Sequence, residues 1–252
     1  DKNHNECRLN TKRLRLCHRN IRKNRKRITR YLAVFFSSVP YQQLSGNIMD
    51  VKTAKKLLRE KIWTELETSS FAKFPLPCFG RIPNFAGSEK AADKVRLLKE
   101  WKDAKVVFAN PDYAQQKVRE YALLDRKVLV MASPRLRHGY VVVDSKNVKG
   151  AESFASMIRG AFKYGKTVNI QEIPKPDLVI EGSVAVDIQG HRLGKGHGYG
   201  DVEIKTVKRM FGDIPIATTV HDIQVVENVP FEETDEKVSI IVTPTKIIRV
   251  TP

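Results

Sequence analysis

Between residues 52 and 66 the apolar positions Leu58, Ile62, Trp63 and Leu66 recur at helical spacing, which predicts an α-helix with one buried face. Lys55 and Arg59, four residues apart, share the neighbouring face and project together. From Phe71 to Pro83 the prolines Pro75, Pro77 and Pro83 forbid regular structure and predict a fixed extended loop. Ser88 is expected to cap a second helix reaching Trp101, with Glu89 in its first turn where the helix dipole favours an acid. Trp63 and Trp101 lie on the apolar sides of their helices and are expected in the core.

The pattern then alternates. Strands are predicted at 106–109, 127–132, 140–144 and 167–170, and helices at 113–124 and 151–164. Short apolar runs separated by helices of about a dozen residues imply βαβ units and a mainly parallel sheet covered on both faces. Residues 178–180 and 184–187 extend the strand set, a helix follows at 202–211, and 214–220, 224–226, 238–242 and 247–250 read as four more short strands. Ligands of such sheets collect at the carboxyl ends of strands. Asn110 to Asp112, Ser133 to Arg135, the turn after Asp187 and His221-Asp222 are therefore expected to border one cleft.

That turn carries the candidate chemistry. Gly194, Gly196, Gly198 and Gly200 stand at every second position between a strand and a helix. Glycines let backbone N–H groups approach phosphate oxygens, and the following helix adds its positive end. Arg192, Lys195 and His197 add cationic or titratable side chains, and Asp201 a carboxylate where a phosphate-bridging Mg²⁺ wants one. The loop lacks the Gly-Lys-Ser/Thr of a Walker A motif and the G-x-G-x-x-G spacing. Its plain alternative is a glycine-rich surface turn.

Charge and cysteine content change this picture only at the amino end. The net charge of +17 suggests nucleic acid until it is located: residues 1–48 hold 12 Lys+Arg against 2 Asp+Glu, or +10 of the total. This leader is expected to be disordered and to pack little against residues 49–252, which form the folded domain. It reads as a basic tail for RNA or acidic surfaces, an organelle presequence, or translated sequence upstream of a start at Met49. Cys7, Cys17 and Cys78 lack zinc spacing and are odd in number, which indicates a reducing compartment and a cytoplasmic protein. The apolar run 31–36 is far short of the ~20 residues of a membrane span.

The glycine loop resembles the signature of the 5-formyltetrahydrofolate cyclo-ligase family, G-x-R-L-G-x-G-x-G-Y-Y-D-R. Gly190, Arg192, Leu193, Gly194, Gly196, Gly198, Tyr199 and Asp201 fall on it. R-I-P-N-F at 81–85, P-R-L at 134–136, G-S-V-A-V at 182–186, V-H-D-I-Q-V-V at 220–226 and T-P-T at 243–245 are similar to the divergent methenyltetrahydrofolate-synthetase-domain branch. The resemblance implies a three-layer, Rossmann-like α/β fold akin to ribose-5-phosphate isomerase and CoA-transferase. It also implies an enzyme that uses ATP and Mg²⁺ to close 5-formyltetrahydrofolate to its 5,10-methenyl form, releasing ADP and phosphate.

In that family the paired cations of the first helix, here Lys55 and Arg59, face nucleotide and substrate. Arg192 and Lys195 resemble its phosphate-holding residues, and Asp201 its metal-side carboxylate. Gly194, Gly196, His197, Gly198 and Tyr199 complete the expected nucleotide contacts, with Tyr199 beside the reacting groups. A small-molecule substrate is expected, a folate, a pterin or another formylated or phosphorylated metabolite, on a monomer or homodimer with no membrane contact. RNA enters only through the leader. The chain departs from the pattern where Gly200 replaces the second tyrosine, Val202-Glu203 the arginine after Asp201, and Asn110-Pro111-Asp112 a segment carrying a pterin-facing glutamate. These departures leave open a relative that binds a nucleotide or phosphorylated metabolite, one linked to thiamine included, without cyclo-ligase activity.

Of the other candidates, His221-Asp222 reads as a strand-end turn or as a base with its orienting carboxylate. Asp112 and Asp235 read first as turn caps and otherwise as acids approaching the cleft. Cys78, between prolines, reads as a small buried residue.

Overall fold

The computed structural model describes residues 50–196 and 198–251, with the backbone alone for Arg135 and Tyr199. The leader, Met49 and His197 lie outside the described residues.

Helix α1 (Val51–Thr68) begins at Asp50, whose side chain accepts from Thr53 N at 3.0 Å and so satisfies one of the donors a helix start leaves open. Its buried face is Ala54, Ile62, Trp63 and Leu66. The proline-rich loop is less irregular than its composition predicts, because β1 (Ala72–Lys73) pairs antiparallel with β2 (Asn84–Phe85). The second predicted helix is two. Helix α2 (Ser88–Val95) is capped by Gly87 at φ 87°, with no side-chain cap bond, so Ser88 is its first residue and not its cap. Gly87 is required there, since a Cβ would stand 2.9 Å from Pro244. Helix α3 (Lys99–Asp103) then starts after the extended Leu98 and buries Trp101, whose Nε1 donates to Asp125.

The large sheet is built from β3 (Val106–Ala109), β4 (Val128–Ala132), β5 (Tyr140–Asp144), β6 (Lys166–Val168), β7 (Leu178–Gly182), β10 (Ile216–Thr219), β12 (Ile240–Val242) and β13 (Ile247–Arg249). Its spatial order is β13-β12-β10-β7-β3-β4-β5-β6. The five central strands run parallel, and β13, β5 and β6 add antiparallel margins. A smaller sheet joins β8 (Ala185–Asp187) to β9 (Arg192–Leu193) and β11 (Val225–Val226).

Strand periodicity sorts the side chains into two layers. Val107, Ala109, Leu129, Met131, Leu178 and Ile180 enter one core, with α1, α2, α3 and α4 (Gln116–Leu124) over it. Phe108, Val130, Val179 and Ile241 enter the other, where α7 (Tyr199–Phe211) supplies Ile204, Val207 and Phe211. Helices thus cover both faces of a mainly parallel sheet, as the alternation predicts, although unevenly. Helix α7 begins three residues earlier than its apolar pattern predicts, so Tyr199 and Gly200 belong to its first turn. The strand predicted at 167–170 shifts back to Lys166–Val168, because Asn169 caps a 3₁₀ turn over Ile170–Glu172.

The helix predicted at 151–164 is broken as well, into α5 (Glu152–Ala155) and α6 (Ile158–Tyr164), joined through extended Met157. Gly160 allows this corner, for a Cβ there would lie 1.8 Å from Phe154 O. Gly160→Ala is therefore expected to destabilise the fold by about 2 kcal/mol or more, since backbone must shift to admit the methyl. A lowered urea midpoint measures it. Cys78 is fully buried near Glu67, and burial with that neighbour pushes its thiol up to about 12. In the native chain Cys78 should stay unalkylated by iodoacetamide at about pH 8, where the thiolate it needs is scarce, as read by peptide mass spectrometry.

Candidate functional site

The carboxyl ends of β3, β4 and β7, the start of α1 and the glycine turn surround a cleft of about 410 Å³. Asn110 to Asp112, Ser133 and the described glycines line it, as the strand-end argument requires. His221-Asp222 does not. The His221 ring stacks on Phe71 at 4.3 Å and its Nδ1 accepts from Ile223 N, while Asp222 accepts from Thr243 and Thr245 hydroxyls. That pair is a turn cap, and burial lowers the His221 pKa.

Asn110 to Asp112 are set by a buried cation that the periodicity does not single out. Arg119 on α4 donates to the carbonyls of Asn110, of Asp112 at 2.9 Å and of Ser156 at 2.8 Å. Full burial lowers its pKa to about 10. Its three acceptors are backbone, so it fixes the rim's path.

The expected phosphate-facing cations are all at the cleft, and each is already engaged. Lys55 Nζ meets Asp235 at 2.5 Å and Glu232 at 3.0 Å. Burial alone would lower the Lys55 pKa, and the hydrogen bonds from these carboxylates reverse it to a net rise. Arg59 donates from Nε to Gly194 O at 2.7 Å and lies under Gly196, so α1 is stapled to the glycine turn. Burial lowers its pKa. Lys195 Nζ pairs with Asp112 at 3.1 Å, its side chain one-third exposed. Lys52, which the pattern did not single out, adds an exposed cation at the mouth.

Arg192 sits deepest, its side chain 3% exposed. Nη1 donates to Gly182 O at 2.9 Å and Nη2 to Asp201 Oδ1 at 2.7 Å. Gly194 and Gly200 pack on its guanidinium, and a Cβ at Gly200 would stand 2.8 Å from Nη2. Asp201 lies in the first turn of α7, where helix polarity favours an acid. No cluster of three or more His, Cys, Asp or Glu suited to a metal occurs among the described residues. Asp201 alone is still compatible with Mg²⁺, which is commonly held by one or two carboxylates together with substrate phosphates.

The sequence reading missed two carboxyls on the floor. Glu181 ends an apolar strand run and is 1% exposed, with Oε1 lacking any partner and Oε2 3.8 Å from Arg192 Nη1. Burial raises its pKa well above the carboxylate range, against the pull of Arg192. Glu203, on the inner side of α7, accepts from Asn110 Nδ2 at 3.3 Å. Burial and nearby Asp112 push it up to about 7, against Arg192 and Lys195. A glutamate inside a buried strand was the available signal for Glu181; for Glu203 it was the departure from the family pattern, which has an arginine after Asp201. Asp112 and Asp235, read as turn caps, face the cleft, although Asp235 also accepts from Glu232 N at 2.8 Å.

Removing the Arg192 guanidinium strands Gly182 O and a buried carboxyl. Arg192→Ala should therefore cost about 3–5 kcal/mol of folding stability. Adding Glu181→Gln should recover part of that loss in the double variant, measured by urea denaturation.

Residues 51–244 match the 5-formyltetrahydrofolate cyclo-ligase family. The methenyltetrahydrofolate synthase domain-containing protein of Bos taurus is 36% identical over 204 residues, covering 77% of this chain and 53% of that protein. Its namesake in Homo sapiens is 35% identical over 207 residues, 79% of this chain and 54% of that protein. The chain thus spans about half the length of these relatives. The structure of Aquifex aeolicus 5,10-methenyltetrahydrofolate synthetase is similar at a TM-score of 0.54, with 22% identity, 79% of this chain and 93% of that one. That likeness extends to the fold, and the family match covers the first helix, the central sheet and the whole glycine turn: the chain belongs to the 5-formyltetrahydrofolate cyclo-ligase family.

Proposed function

We propose that the cleft carries an ATP-dependent cyclo-ligase activity on 5-formyltetrahydrofolate or a related formylated pterin. The observation that carries this reading is one cleft mouth holding Lys52, Lys55, Arg59 and Lys195 beside the glycine turn and the N-terminal end of α7. Phosphoryl transfer needs positioning and neutralisation of spread negative charge more than it needs a protein nucleophile. In the reaction the formyl oxygen takes the γ-phosphoryl group as ADP leaves. N10 then attacks the formyl carbon, and the C–O bond breaks so that phosphate departs carrying the N10 proton and the methenyl bridge remains.

Lys195 and Lys55 meet the phosphate oxygens, exchanging Asp112, Asp235 and Glu232 for them. Arg59 keeps the Gly194 to Gly196 backbone facing the ligand. Arg192 orients Asp201, the carboxylate toward a bound Mg²⁺, which would supply charge neutralisation between phosphates. Gly194, Gly196 and Gly198 give the close backbone approach, and Tyr199 opens the helix at that point; its side chain and His197 lie outside the described residues. Holding the formyl oxygen and N10 in line contributes about 7–11 kcal/mol of barrier reduction. The setting is cytoplasmic, a reading supported by the odd cysteine number and the lack of zinc spacing; among the described residues Cys78 is free, and no helix is long and apolar enough to cross a membrane.

A second reading is a relative that binds a nucleotide or phosphorylated metabolite without closing a folate ring. Gly200 in place of the family pattern's second tyrosine, and Val202-Glu203 in place of the arginine after Asp201, favour it.

ADP release should depend on both 5-formyltetrahydrofolate and MgATP, with 5,10-methenyltetrahydrofolate formed in equal amount and followed by its absorbance. Nucleotide-dependent binding without turnover favours the second reading. Lys195→Ala should weaken MgATP about tenfold or more, the scale of one charge-assisted hydrogen bond, by calorimetry. Unchanged affinity there and in Arg59→Ala removes the phosphate site from this loop.

A further inference from the structure

The lining of the cleft is sorted by depth. Cations stand at the exposed mouth, on Lys52 and Lys195, whereas Glu181 and Glu203 are buried on the floor. An anion is welcome at the first level and repelled at the second. Among the described residues the cation at floor level is Arg192, whose Nη atoms bond Gly182 O and Asp201 while its buried Nε lacks a partner.

Glu181 is the group left over. Its Oε1 is buried and without a hydrogen-bond partner, and the 3.8 Å from Oε2 to Arg192 is too long for a hydrogen bond. A buried carboxyl oxygen in that state bears the desolvation penalty of a bond not made, which calls for an explanation such as a ligand. Gly200 makes room for it. A Cβ at that position would lie 3.1 Å from Glu181 Oε2, so the glycine standing where the family pattern has its second tyrosine clears the space beside this carboxyl. Ile82, Pro111, Ala132 and Leu136 give the cleft apolar surface suited to the face of a flat ring.

We propose that Glu181 is a specificity-determining residue whose two carboxyl oxygens, the unpartnered Oε1 and its neighbour Oε2, receive the amidine edge of a flat heterocycle, a ring nitrogen next to an exocyclic amine. The pairing holds in either protonation state. A carboxylic acid donates to the ring nitrogen and accepts from the amine; a carboxylate accepts two N–H bonds from a protonated edge. Burial, which drives Glu181 toward its neutral form, favours the first arrangement. Glu181 and Glu203 work against a phosphate or carboxylate at the floor, and the charge of Arg192 there is already paired with Asp201, so the ring end of the ligand goes in and its anionic end stays at the mouth. The same edge occurs on adenine, on the 2-aminopterin ring and on an aminopyrimidine. The inference deepens the cyclo-ligase reading and takes from it the location of the anionic end.

The test is calorimetry on the full chain, unmodified and as Glu181→Gln and Glu181→Ala, with three matched pairs of probes. These are MgATP against the magnesium complex of purine riboside triphosphate, 5-formyltetrahydrofolate against its 2-desamino analogue, and thiamine diphosphate against its 4′-desamino analogue. For one pair the unmodified chain should prefer the aminated member by about tenfold or more, as a site built around a hydrogen bond does. Glu181→Ala should abolish that preference while changing the desamino member's Kd by less than about threefold, and Glu181→Gln, with an acceptor and a donor, should keep part of it. Which pair responds identifies the source of the ring. A structural defect weakens both members alike, so equal weakening, an unchanged preference in every pair, or no binding of any aminated probe overturns the proposal. Turnover with 5-formyltetrahydrofolate separates the two readings. Turnover without a Glu181-dependent preference sinks this inference alone, and the preference without turnover sinks only the cyclo-ligase reading.

Discussion

One guanidinium holds three parts of the molecule in register. Arg192 leaves β9, reaches the last carbonyl of β7 and holds Asp201 in the first turn of α7. Strand, glycine turn and helix thereby converge on one buried charge. A bare cation at that depth is far too costly to keep, so the surrounding acids are a condition of its burial. Burial itself works against the charged form, and Glu181 and Asp201 outweigh it to raise the Arg192 pKa. The glycines around it follow from the same constraint, because Gly194 and Gly200 are where the backbone touches the guanidinium. What reads as a phosphate motif is thus also the packing surface of an arginine.

Much of the architecture was legible from period alone. Residues 106–109, 128–132 and 178–180 are apolar on both faces because each strand feeds two cores, and the alternation with helices requires crossovers between parallel neighbours. The helix breaks were not legible. Helices α2 and α3 part at Leu98, and α5 and α6 at Met157, while the local sequence carries no proline or capping pattern at either point. At the first corner α3 turns Trp101 into the core, where its Nε1 donates to Asp125, and at the second Gly160 packs on the Phe154 carbonyl. Tertiary packing overrides local propensity there.

At the cleft the cations were legible and their partners were not. Lys55, Arg59, Arg192 and Lys195 stood out by spacing and by family pattern, and all four reach the cleft. Their acids come from remote chain: Lys195 meets Asp112 across 83 positions and Lys55 meets Asp235 across 180. No local rule pairs residues so far apart. His221-Asp222 shows the converse, since a sequence-adjacent acid and imidazole, read first as a strand-end turn and second as a base with its carboxylate, close a turn.

The segment bearing Glu232 and Asp235 crosses from β11 toward β12 and is tied to α1 through Lys55, to α7 through Lys208 and Glu236, and to His191 by the stacked Phe231 ring. Its carboxylates stand where an incoming anion would otherwise find a vacant ammonium. Any such guest is therefore a competitor in a displacement equilibrium, and its apparent affinity is the difference between two ion pairings. Occupancy at the cleft and detachment of this strap are coupled in the same free energy, so whatever loosens the strap also sharpens the pull of the basic rim on its guest.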